Sequence, residues 1–66
     1  MSKMSFKTYC IELYADSKHM PSNEVYELFE EKGVLKMLDE DYEQLHGLGF
    51  QFAIGEIEQF LGGDTN

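Results

Sequence analysis

A mostly α single domain of three to four short helices is what this sequence predicts, with one short extended segment at residues 50–54 as the only other regular element. Three observations carry that expectation. Apolar residues recur at i, i+3 and i+4 along most of the chain, the spacing of one helix face. Residues that stop or cap helices, Pro21, Gly33, Gly47 and Gly49, stand between those stretches. Hydrophobic residues make up 42% and aromatics 14% of 66 residues, too apolar for a solvated tail and enough for one small core. The chain 1–66 is therefore read as one domain, with an ordered core over about residues 5–61 and frayed ends.

The first helix is expected from about Ser5 to Lys18. At 100° per residue Phe6, Tyr9, Cys10, Leu13 and Tyr14 share a face, with Lys7, Thr8, Glu12 and Ala15 elsewhere and Ile11 marking a second contact. Pro21 ends it, because proline disfavours the helical region for Met20 and lacks a backbone donor. Ser22 is the expected N-cap of the second helix, with Glu24 at the positive end of its dipole. Val25, Leu28 and Phe29 form its apolar stripe, along which the Lys32 stem can lie, and Gly33 suits the left-handed C-terminal residue.

From Val34 to Leu48 the residues Val34, Met37, Leu38, Tyr42, Leu45 and Leu48 fall on one helical stripe. Asp41 falls in the middle of it, and an unpaired buried carboxylate is costly. A break near Asp39, which would cap a second short helix, resolves the conflict and is preferred over one continuous helix. Gly47 and Gly49 then terminate the element. Phe50, Phe52 and Ile54 alternate with period two, which suits a strand, and Ile54, Ile57 and Leu61 with Phe60 suit a last short helix.

Charge narrows the functional classes. Thirteen Asp and Glu oppose five Lys, with no Arg, for a net charge of -8. A nucleic-acid binder needs a basic footprint and an anionic membrane repels this sign, so neither partner is expected. No apolar run reaches the roughly 18–20 residues of a transmembrane helix, and residues 1–6, with no uninterrupted apolar stretch after Lys3, lead to the expectation of no secretory signal. Cys10 is the single cysteine, which excludes an internal disulfide and fits a reducing cytoplasm.

Chemistry-bearing groups are sparse. Asp39, Asp41 and Glu43 have the opening spacing of a calcium loop, but Gln44 and Phe50 occupy its glycine and closing glutamate positions. Asp39, Glu43 and His46 share a face if the helix is continuous, which gives an alternative divalent-metal reading. Cys10 with a histidine is the thiol alternative, although its apolar stripe favours a buried thiol. His19 beside Pro21 reads as exposed. Without a phosphate loop, cysteine pairs or room for a deep pocket, catalysis, a cofactor and a metal are not expected.

Surface is what remains. Glu24, Glu27, Glu30 and Glu31 lie opposite the second helix's stripe, and Asp39, Glu40 and Glu43 follow. A solvated face accounts for them; the functional alternative is a face that steers a basic protein partner. In that reading Glu27, Glu31, Asp39 and Glu43 steer, while Phe50 and Phe52 make the buried contact, with Phe60 as a further apolar group. A second copy of the chain is another admissible partner. Mimicry of nucleic acid by the acidic surface is a third reading, which predicts capture of a DNA-binding protein.

Taken in order, the residues Cys10, Ile11, Glu12 and Tyr14, then Pro21, Ser22, Glu24, Val25, Leu28 and Phe29, then Gly33, Val34 and Leu35 form a pattern. Tyr42, Leu45, His46 and Gly49, with Glu56 and Ile57, complete it. This order resembles a family of short bacterial proteins, the domain of unknown function three-seven-nine-one, over about residues 8–61. The resemblance assigns no residue a role. It implies a gene encoded beside proteins resembling ADP-ribosyltransferases, and hence a toxin-antitoxin-like or regulatory pairing in which this chain is expected to be the antitoxin-like or accessory partner.

Overall fold

Helix α1 (Lys3–Lys18) is the element that every other helix touches in this computed structural model, which describes residues 1–62. Its start is fixed by Ser2, whose hydroxyl accepts the Ser5 amide at 3.1 Å. Its end is a left-handed residue, His19 at φ 56°, whose N–H reaches the Ala15 and Asp16 carbonyls. Phe6, Cys10 and Tyr14 are buried as the periodicity predicts, and Ile11 is a partly buried contact. Tyr9 and Leu13 are not: they stay exposed, while Ala15 is buried. At 100° per residue Phe6, Cys10, Tyr14, Ile11 and Ala15 form one broad covered face, turned towards Ala15 so that Tyr9 and Leu13 fall just outside its edge. The turn after α1 closes on Ala15, whose carbonyl accepts the Met20 N–H at 2.9 Å.

Helix α2 (Ser22–Lys32) begins one residue earlier than a serine cap would place it. Pro21 holds the cap position in extended geometry, and its carbonyl accepts the Glu24 and Val25 amides at 3.1 and 3.2 Å. Ser22 instead donates its hydroxyl to Glu12 Oε1 at 2.8 Å, tying the two helices. Val25 and Phe29 are buried and Leu28 partly so, whereas Lys32 is exposed. Gly33 closes α2 at φ 83°, as its position after the stripe predicts.

Helices α3 (Val34–Glu40) and α4 (Tyr42–Leu48) are separated at Asp41, not at Asp39. The hydrogen-bond ladder passes through: Asp41 N–H reaches the Met37 carbonyl and the Asp41 carbonyl accepts from Leu45, both at 2.9 Å. The bend turns Asp41 out to solvent, so the expected inward carboxylate is exposed and no desolvation is incurred. It also ends the common stripe. Val34, Leu38 and Leu45 are buried and Met37 and Tyr42 partly so, but Leu48 is 56% exposed.

Residues 50–54 are helical, which corrects the extended reading: α5 (Phe50–Phe60) includes all of them, and the described residues contain five helices and no strand. Five residues of alternation also fit a helix, because Phe50, Ala53, Ile54 and Ile57 lie at i, i+3, i+4 and i+7. The helix satisfies its own backbone, whereas a lone strand would leave a ladder unpaired. Gly47 lies inside α4, and Gly49 alone makes the joint. Tyr9 meets Phe50 at one end of α5 and Lys18 meets Glu58 near the other, so α1 and α5 run in the same sense. The expected frayed tail lies outside the described residues from residue 63 onward.

The core joins Phe6, Cys10, Val25, Phe29, Val34, Leu38, Ala53 and Ile57 from four of the helices, with Leu45 from α4. Among the described residues no polar or charged side chain is buried, so apolar packing alone fills it. None of these helices is long and apolar enough to cross a membrane.

Candidate functional site

The two phenylalanines expected to contact a partner have different roles in the fold. Phe50 belongs to a ring cluster centred on Phe6. Phe6 stacks on it at 5.5 Å and meets the Tyr42 and His46 rings edge-on at 5.4 and 6.0 Å. His46 stacks on Tyr42 at 5.1 Å, Tyr9 tilts onto Phe50 at 5.2 Å, and the Tyr42 hydroxyl donates to the Met1 carbonyl. Edge and offset geometries of this kind favour the rings beyond their burial. Phe50 is therefore a partly buried member of the packing. Phe52 is two residues on, about 200° around the helix, and 42% exposed.

The carboxylates also divide. Glu27 and Glu31 are exposed on α2, together with Glu24 and Glu30, and none of the four has an ion-pair partner among the described residues. Asp39 is different: Lys7 stands 3.4 Å and Lys3 3.8 Å from its two oxygens. Glu43 is exposed on α4. Helix α2 packs on α1 and α3, and α4 on α1, α3 and α5, so the four steering candidates occupy three different helices.

The metal alternative loses its geometry at the bend. Asp41 interrupts the helix between Asp39 and His46, Asp39 faces lysines, and the His46 ring lies in the aromatic cluster. Among the described residues no group of three or more His, Cys, Asp or Glu side chains is placed to hold an ion. His19 is exposed at the end of α1, as its position beside Pro21 predicts.

Cys10 is fully buried, and burial pushes its thiol from 9.0 up to about 11. The thiolate is the nucleophile, so the native thiol is expected to react with a disulfide reagent at pH 7.5 only after denaturant is added. Immediate stoichiometric labelling of native protein would contradict this. The raised value also sets a pH dependence. Below about 9 the thiol is neutral in both states; between 9 and about 11 the unfolded state loses its proton first, so stability falls as pH rises.

Open grooves flank the core, and two of them carry exposed apolar groups beside polar ones. One, about 240 Å³, lies among α1, α2 and α3 and is lined by Met4, Lys7, Thr8, Ile11, Tyr26 and Leu35. The other, about 350 Å³, lies between α3 and α5, with Met37, Asp41, Glu56, Gln59 and Phe60 along it. Nothing in the linear spacing of these residues brings this second set together. Its one signal in the sequence is Asp41, a carboxylate on an otherwise apolar stripe.

A family model described as "Protein of unknown function (DUF3791)" matches residues 5–62. No curated protein and no solved structure matches the chain.

Proposed function

The chain belongs to the DUF3791 family, and from that premise we propose that it acts by binding another protein with a basic surface, without catalysis of its own. The observation that carries this reading is the exposed row Glu24, Glu27, Glu30 and Glu31, which makes no ion pair among the described residues and lies on a helix whose other face is spent on the core. Such a face accelerates encounter with an oppositely charged surface. Glu43 adds to the same field, and Phe52 offers an exposed aromatic contact. Asp39, held by Lys3 and Lys7, contributes less, and Phe50 supports the ring cluster beneath. The biological form of the proposal is an antitoxin-like or accessory partner of an ADP-ribosyltransferase-like neighbour in the cytoplasm, where a lone thiol is compatible with the redox poise.

Co-expression with the neighbouring gene product and stopped-flow association test it. Reversing Glu27 and Glu31 to lysine is expected to slow association about tenfold at low salt and to flatten its salt dependence. An association rate and salt slope unchanged by the double reversal would remove the proposal.

A further inference from the structure

The groove between α3 and α5 joins an exposed ring to two unneutralised carboxylates. Phe60 is 49% exposed, yet its ring is seated: a Cβ added at Gly33 would stand 3.9 Å from its Cε2 and Cζ atoms. Met37 contributes an apolar wall from α3. Asp41 stands at the end of α3 and Glu56 on α5; both are exposed, and neither makes an ion pair among the described residues. Asp41 does not cap α4 with its side chain, although it holds the cap position. Lys32 and Lys36, the lysines of α2 and α3, pair with neither carboxylate.

We infer that this groove receives an arginine side chain of the partner, its guanidinium between Asp41 and Glu56 and across Phe60, its stem against Met37. Charge complementarity selects a cation. Two acceptors on separate helices beside an aromatic face select the planar, multi-donor guanidinium over a compact ammonium. These 66 residues contain no arginine, so a second copy of this domain does not supply the occupant, and the proposal commits to an arginine of a different chain. The inference rests on the partner-binding reading above and adds a specific contact to it.

Titration of isotopically labelled protein with acetylated, amidated tetra-arginine, followed by amide chemical shifts, tests it against tetra-lysine. Saturable shifts are expected at Met37, Asp41, Glu56, Gln59 and Phe60. Stacking should make the arginine peptide about two- to fivefold tighter. Asp41→Asn with Glu56→Gln, two volume-conserving changes at exposed positions, should weaken it roughly five- to tenfold. Phe60→Leu should abolish the preference for arginine over lysine. No shift in the groove, equal affinity for both peptides, or insensitivity to the double variant would each overturn the inference. Shifts confined to Glu24 through Glu31 would overturn the groove while leaving the basic-partner reading intact, because the association kinetics of the α2 reversal are read separately.

Discussion

Phe6→Ala is expected to leave the domain largely unfolded or at the edge of unfolding at 25 °C. Its side chain is 1% exposed and touches the Phe50, Tyr42 and His46 rings, so truncation opens a cavity that three aromatic neighbours border. Buried Phe→Ala changes cost about 3–5 kcal/mol. At the usual stability per residue, 66 residues provide roughly 3–10 kcal/mol in total. The loss is therefore comparable with the whole margin. Urea unfolding followed by far-UV circular dichroism reads it directly, with Phe52→Ala as the reference. Phe52 is exposed, and its truncation should stay within about 0.5 kcal/mol. Equal losses for the two variants would show that the ring cluster does not hold α1, α4 and α5 together.

Gly49→Ala should cost about 1–3 kcal/mol for a reason unrelated to space. Its backbone lies at φ 100° and ψ 165°, a region essentially reserved for glycine, and an added Cβ would meet nothing within 4 Å. The penalty is conformational, and it falls on the joint that aims α5 at the core. Gly47, two residues earlier and inside α4, likewise has nothing within 4 Å of an added Cβ. There alanine should stabilise by about 0.5–1 kcal/mol, because it reduces the entropy lost on helix formation. Opposite signs in melting temperature are the expected result. A destabilised Gly47→Ala or a neutral Gly49→Ala would mean that the α4–α5 joint is not built this way.

Residues whose structure follows from near neighbours are legible in the sequence alone. Gly33 after the Val25–Phe29 stripe is the left-handed closing residue, and Phe6, Cys10 and Tyr14 face inward as their spacing demands. The outward carboxylates of α2 were equally plain. Less legible was the candidate site. Glu27 and Glu31 are readable from their side of the helix, but the lysines that hold Asp39 come from α1, more than thirty residues away in sequence. The rings that partly bury Phe50 also come from α1.

Local periodicity and stop residues thus determine a helical, acidic chain and most of its inward faces, because each depends on contacts within a few residues. Tertiary packing decides the rest. It bends the chain at Asp41 and turns that carboxylate to water, makes residues 50–54 helical, exposes Tyr9 and Leu13, and sets Phe60 beside Asp41 and Glu56. Each of these outcomes depends on which helix lies across the way. A single helix wheel contains no term for a neighbour brought close by folding, and so the α3–α5 groove exists only once α1 has gathered the other four helices around it.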